Sequence, residues 1–272
     1  MTIINKGLNI IRNIVGSSYL LEIGKLSKIY KNTVIALDNN HQIDALQSEL
    51  SSFYNIENIH KFPDYGTGYY DIRPIDKSII KDRYNTLIDL VSNNTKNRII
   101  IATYKSLFYK IPRPFDISNS WKQINLGTKY EEIITTLNSF NYHKTSKVTE
   151  PGQFRVSGSI IDFFSVNSEK PIRINFFGDE IETIKEFDIS TLRSSNNVDS
   201  TIICSDGVYS LTSNNIEYYK DSVKNYFNEE YLEDIEYEKI VSDNDSRHIH
   251  NLIPLLFNDT SSILSLLDSE FA

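Results

Sequence analysis

Four carboxylates, Asp162, Asp179, Glu180 and Glu182, fall within one β-patterned stretch, and paired carboxylates are what general acid–base chemistry needs. Their setting favours another role. Gly178-Asp179 reads as a tight hairpin turn, and acids at turns and on solvated strand faces are common. His248 and His250 alternate on a possible strand and could share a metal ion, but no third ligand type clusters beside them. The single cysteine, Cys204, excludes an internal disulfide framework and a Cys-based zinc site, and reads as a small buried apolar residue. Gly16-Ser17-Ser18 could hold an anion at a helix N-terminus; a turn with an N-cap is the plainer reading. The Tyr65–Tyr70 cluster could stack on nucleic-acid bases, with loop packing as the alternative. No catalytic residue, cofactor-binding residue or metal ligand is assigned from these patterns.

The elements that would position such residues change in character along the chain. Ile10 and Ile14, then Leu20, Leu21, Ile23 and Leu26, give two helical apolar stripes broken at Gly16-Ser17-Ser18, and Met1–Val15 reads as a mature helix, not a signal peptide. Thr33–Leu37 predicts a buried parallel strand, and Asn39 with Gln42 predicts a capped helix start with Ile43, Leu46, Leu50 and Phe53 inward. Ile59–Phe62 is a further strand, Tyr65–Pro74 a loop, Ile80–Val91 an amphipathic helix and Arg98–Thr103 the clearest buried strand. Thr128-Lys129-Tyr130-Glu131 reads as a capping box opening a helix with Ile133, Ile134, Leu137 and Phe140 inward. Short strands follow at Gln153–Val156, Ser159–Phe164, Ile172–Phe177 and Ile181–Phe187. Beyond them, Ser200–Cys204 and Gly207–Leu211 are candidate strands, Tyr218–Phe227 a candidate helix, and Ile249–Phe257 a strand or buried segment.

The chain has 272 residues, of which 40% are hydrophobic and 12% aromatic, with a net charge of −8. That charge is uneven. Residues 1–117 hold 15 Lys+Arg against 11 Asp+Glu (+4), residues 118–193 hold 9 against 10 (−1), and residues 194–272 hold 4 against 15 (−11). A chain that held DNA alone would carry a basic stripe to release phosphate counterions, and the last third is the reverse. No stretch approaches the ~20 continuous apolar residues of a membrane helix. No membrane association is therefore expected; the single cysteine fits a reducing cytoplasm, and the chain is expected to be a monomer.

Residues 150–193 contain Gly152, Gly158, Ile161-Asp162-Phe163-Phe164, Pro171, Arg173, Phe176-Phe177, Asp179-Glu180, Phe187-Asp188 and Arg193 in order. This resembles the segment shared by transcription–repair coupling factors (Mfd) and the excision-repair protein UvrB. A second run, Phe62-Pro63-Asp64, Tyr70-Asp71, Pro74, Ile79-Ile80, Arg83 and Leu87, is similar to another stretch of the same family. UvrB keeps a G-x-x-x-x-G-K-[ST] phosphate loop, whose glycines and Lys meet the phosphates; here Gly16–Leu21 has no Gly-Lys-Ser/Thr, and Gly24-Lys25 is followed by Leu26 within a helical stripe. Only Ile72–Asp76 separates Asp71 from the next helix, too short for the DNA-threading hairpin of UvrB. Both departures match the N-terminal, UvrB-like module of the coupling factors.

The resemblance implies a degenerate RecA/helicase-like α/β domain lacking a phosphate loop. Residues 1–117 form its first part, residues 118–193 an inserted α+β domain like UvrB domain 2, and residues 194–272 a return segment that completes it. It implies a docking module that recruits UvrA to RNA polymerase stalled at DNA damage. RNA polymerase and DNA would be met through C-terminal modules outside these residues, with ATP and Mg serving the translocase there and no cofactor held by this chain. In the family, UvrA is met by an Arg just before the glycine of the Arg-Gly step, the Arg of Pro-x-Arg and the second Phe of Phe-Phe. These fall on Ser157, Arg173 and Phe177, with Ser157 departing from the pattern and Arg155, two residues earlier on the same face, a possible substitute. Two rivals stand beside this reading: a DNA-dependent ATPase resembling UvrB, and an autoinhibitory module masking other domains.

The absent phosphate-loop lysine leads to a first expectation. Calorimetric titration with ATP should give no binding; micromolar affinity, lost on mutating Ser17 and Ser18, would contradict it.

Overall fold

The computed structural model describes residues 15–66, 75–92, 97–207, 209–227, 235–243 and 249–267. The helix expected over 1–15 lies outside them but for Val15, as do residues 67–74 of the Tyr-rich loop and His248.

Gly16–Ser18 makes a short 3-10 turn, with Gly16 in the left-handed region at φ +55, and leads into α1 (Tyr19–Ile29). Strand β1 (Asn32–Leu37) follows, then α2 (Asn40–Ser51). The expected cap forms: Asn39 Oδ1 accepts from the Gln42 N–H at 3.1 Å, and Gln42 Oε1 accepts from the Asp38 N–H at 2.9 Å. Ile43, Leu46 and Leu50 point inward, whereas Phe53, past the helix end, is 64% exposed. After β2 (Ile59–Phe62) come α3 (Lys77–Val91), β3 (Arg98–Thr103), α4 (Tyr104–Phe108), β4 (Ile111–Pro112) and α5 (Pro114–Ser118).

The first sheet is parallel with order β1-β3-β2. Its central strand β3 is buried at every residue, which is why its middle, Ile99–Ala102, reads as an unbroken apolar run. Alternation along β3 sends Ile99 and Ile101 to one face, against Leu20, Ile43, Leu46 and Leu50. Ile100 and Ala102 go to the other, against Leu87 and Leu90 of α3 and against Tyr209, Tyr219, Val223, Leu256 and Ile263 from the end of the chain. Arg83 explains much of the Phe62-Pro63-Asp64 motif. Its buried guanidinium lies 3.8 Å from the Phe62 ring centroid and 4.1 Å from that of Tyr65, and donates to the Pro63 carbonyl at 2.7 Å. Asn40 closes the motif by exchanging hydrogen bonds with the Asp64 backbone.

The middle of the chain holds β5 (Trp121–Asn125), α6 (Tyr130–Ser139), β6 (His143–Lys144), β7 (Gln153–Ser157), β8 (Ile160–Phe163), β9 (Ile172–Phe177), β10 (Glu180–Phe187), β11 (Ser194–Asn197) and β12 (Ser200–Cys204). Strands β6 to β11 form one sheet in sequence order, antiparallel except for the β6–β7 pair. Helix α6 covers one face, packing Ile133, Leu137 and Phe140 against Phe154, Ile161, Phe163, Ile174 and Phe176. The capping box expected at Thr128–Glu131 does not form. The Thr128 hydroxyl is spent on the Asn125 N–H in the preceding turn, so the helix opens at Lys129 without a side-chain cap.

Strand β12 pairs antiparallel with β5, and Ile203 joins the core under α6. Residues 200–204 are thus laddered to the middle of the chain, while Ile202 and Cys204 pack with Ile80, Tyr84 and Ile88 of α3. Gly207–Leu211 is not a strand: where described it makes no ladder, and the Ser210 N–H bonds to the Ser120 hydroxyl. The chain then forms α7 (Ser213–Tyr226), α8 (Ile235–Asp243), α9 (Ile253–Leu256), β13 (Thr260–Ser261) and α10 (Ile263–Leu266). Ile249–Phe257 contains a 3-10 turn and α9, and β13 pairs with β4. The result is a mixed α/β fold with several sheets.

The α6 core predicts a sharp contrast in stability. Leu137→Ala, at a fully buried site, should cost about 2–5 kcal/mol in urea unfolding. Leu126→Ser, at a site 57% exposed, should stay within about 0.5 kcal/mol; equal losses would contradict the packing.

Candidate functional site

The six-stranded sheet has one face under α6 and one facing away from it. Strand alternation selects the outward residues: Arg155 and Ser157 on β7, Asp162 on β8, Arg173, Asn175 and Phe177 on β9. On β9 the partition is regular, with Ile172, Ile174 and Phe176 buried, Arg173 and Asn175 half-buried and Phe177 exposed. Phe177 is 84% exposed at the tip of the β9–β10 hairpin, whose turn uses Gly178 at φ +63. Ser157 is exposed near the same end of the sheet, and Arg155 is partly exposed. The sequence-derived residues Arg155, Ser157, Arg173 and Phe177 therefore share one face.

The register adds what spacing could not. Arg155 lies opposite Asp162, Asp162 opposite Arg173 and Arg173 opposite Lys185. Asp162 is 4% exposed, so the solvated position read from the sequence is corrected here. Its carboxylate receives Arg173 bidentately, from Nε at 2.7 Å and from Nη2 at 2.9 Å. Arg155 Nη1 stands 3.9 Å from Oδ2 of the same carboxylate. Asp179, Glu180 and Glu182 are exposed, as expected of turn and strand-surface acids.

Arg173 is held from two further sides. Its Nη1 donates to the Leu192 carbonyl at 3.2 Å, and its guanidinium carbon lies 4.9 Å from the Phe187 ring centroid. Leu192 can present that carbonyl because the 188–193 turn is wound around Asp188. One oxygen of Asp188 accepts from the Ser190 and Thr191 hydroxyls and from both their backbone N–H groups. The Ser190 hydroxyl leads in lowering the Asp188 pKa to about 2. Leu192 closes the turn in the left-handed region at φ +57. Bonding to Asp162 raises the Arg173 pKa above its ordinary value, so this cation stays charged. Its side chain is only 19% exposed.

Other candidate chemistry has a plainer setting. An open pocket of about 400 Å³ at the end of β1 is lined by Tyr19, Leu37, Asp38, Gln42 and Glu49 among others, with two carboxylates and no Lys or Arg in its lining. Tyr19 donates to Glu49 there. Such a lining repels phosphates. Cys204 is fully buried, and burial pushes its thiol pKa up. His250 packs against the Tyr65 ring at 4.7 Å between centroids. Among the described residues no group of three or more His, Cys, Asp or Glu could hold a metal, and no helix is long and apolar enough to cross a membrane.

Comparison with known proteins bears on the same region. Residues 123–209 match the family model of the UvrB interaction domain. Over 238 residues, 86% of this chain, it is 27% identical to a transcription-repair-coupling factor of Rickettsia conorii. It is 24% identical over 222 residues (81% of the chain) to that of Haemophilus influenzae, and 26% over 203 residues (74%) to that of Staphylococcus aureus strain MRSA252. The aligned parts cover 21%, 19% and 17% of those proteins, so the chain spans about a fifth of the relatives it matches. Together these similarities support an N-terminal module of a transcription–repair coupling factor.

The Arg173 contacts set a stability expectation. Arg173→Met leaves the Asp162 carboxylate buried without its bidentate partner, and should cost about 3 kcal/mol in urea unfolding. Arg155→Gln, which leaves Asp162 its bidentate partner and removes only the partly exposed cation 3.9 Å away, should cost less than about 1 kcal/mol. Equal, small losses would mean that the carboxylate is solvated.

Proposed function

We propose that this chain is a protein-docking module of transcription-coupled nucleotide excision repair and that the open face of its six-stranded sheet receives UvrA. The observation that carries the reading is Phe177. A phenyl ring 84% exposed on a hairpin tip, on the same face of the sheet as Arg155 and Arg173, has no role in this chain's own core. Aromatic and arginine side chains are the usual anchors of protein interfaces. The match to the UvrB interaction domain over residues 123–209 supports the same assignment. In this reading the docking domain runs from β5 to β12, residues 121–204, and is inserted into a degenerate helicase-like α/β domain made by the residues on either side. Engagement of stalled RNA polymerase and ATP-driven translocation on DNA would belong to other modules of a coupling factor. The acidic last third, at −11, makes tight binding of DNA by this chain alone unfavourable.

Calorimetry with the cognate UvrA tests the proposal. Phe177→Ala should weaken binding by about 2 kcal/mol or more, roughly thirtyfold, without lowering the unfolding midpoint. A Phe177→Ala variant that binds UvrA like the unmodified chain would place the docking surface elsewhere.

A further inference from the structure

Arg83 is buried, yet no Asp or Glu among the described residues forms an ion pair with it. An arginine does not shed its charge in such a place, so the cation must be solvated by what surrounds it. The Phe62 and Tyr65 rings lie against the guanidinium, and Nη1 donates to the Pro63 carbonyl at 2.7 Å. Nη2 is buried and has no hydrogen-bond partner among the described residues.

Two phenols share that condition. Tyr84 and Tyr209 are buried, and neither hydroxyl has a hydrogen-bond partner among the described residues. Arg83, Tyr84 and Tyr209 line one cavity of about 10 Å³, with Tyr65, Ile80 and Leu87 as the rest of its lining. Burial leads in pushing both phenol pKa values well above the ordinary one, so both hydroxyls stay protonated. Tyr209 adds to the rise at Tyr84, and Arg83 opposes the rise at Tyr209, as groups facing one space do. The Ser205 hydroxyl, buried and likewise unpartnered, lies near that of Tyr84.

A buried polar atom that gives up water on folding and gains no partner destabilises the fold. Three such atoms here converge on one small space. An internal water needs a volume of about this size and two to four polar partners.

We propose that this cavity is a binding site for one internal water molecule, which accepts from Arg83 Nη2 and bridges it to the Tyr84 and Tyr209 hydroxyls. Its oxygen completes the solvation of the buried cation. Its place in the fold gives it a role. Arg83 and Tyr84 belong to α3, whereas Tyr209 follows β12, where the chain leaves the six-stranded part and returns to the parallel sheet. The Tyr84 ring also packs with Val166 and Cys204. The water therefore ties the returning chain to α3 at the point where the two parts of the fold meet. A halide is the other guest that a cation and two hydroxyls could hold; the small volume favours water.

Removing a hydroxyl tests the site by the sign of its effect. Deleting a buried hydroxyl that has no partner would raise the unfolding midpoint, because an unsatisfied group is removed. Deleting one that is bonded to a held water lowers it. Tyr209→Phe and Tyr84→Phe, each made in the full chain, should lower the thermal midpoint by about 2–4 °C. The double variant should lose less than the sum, because the first deletion already loosens the shared water. In a high-resolution crystal structure a density peak should stand about 2.7–3.2 Å from Arg83 Nη2 and from at least one of the two phenol oxygens, with no anomalous signal there after a bromide soak. A higher midpoint in either single variant, additive losses in the double variant, or a map without that peak would overturn the proposal. An anomalous bromide peak would overturn it in favour of a halide site.

Discussion

One buried ion pair, Asp162 with Arg173, organises the outer face of the six-stranded sheet. It ties β8 to β9 across their cross-strand register, and through the Leu192 carbonyl it draws in the turn that follows β10. A one-residue slip of β9 would turn Arg173 into the apolar layer under α6 and expose Ile172 or Ile174, so the pair and the core specify the same register. Desolvating a carboxylate and a guanidinium costs free energy that their attraction only partly offsets. The gain is geometric: a long, flexible side chain is fixed to one position on a face that otherwise exposes polar strand residues and Phe177.

The same pair gives physical meaning to a scattered set of sequence motif residues. Asp162, Phe187 and Asp188 lie 11, 14 and 15 residues from Arg173 in the chain, yet they converge on its guanidinium. Asp162 binds it, Phe187 lies beside it, and Asp188 winds the turn that offers Leu192 to it. A comparable logic governs the parallel sheet, where Arg83 draws Phe62, Pro63 and Tyr65 together around its own guanidinium. In both places an arginine that would read as a surface residue acts as a local organiser.

Much of the fold was legible in the chain because its signals are local. The apolar run Arg98–Thr103, the Asn39 and Gln42 cap and the alternation in Ile172–Phe177 each depend on neighbouring residues, and each takes the expected form. The failures were non-local. Thr128 looked like an N-cap, but its hydroxyl was already used by Asn125 in a turn. Gly207–Leu211 has a strand's composition, but its described residues make no ladder. Asp162 was misread for the same reason: its burial follows from lying opposite Arg173, and register across a meander cannot be counted from spacing along one strand. The outward positions of Arg173 and Phe177 followed from period two alone, whereas the commitment of Arg173 to its own chain did not.

Amide hydrogen exchange of the chain, measured with and without cognate UvrA, tests the docking face most directly. Docking there requires slowed exchange concentrated in β7, β9 and the Phe177–Glu180 hairpin, with the parallel sheet around β3 unchanged. Protection confined to the parallel sheet or to α7, or no protection at UvrA concentrations that saturate binding, would contradict it.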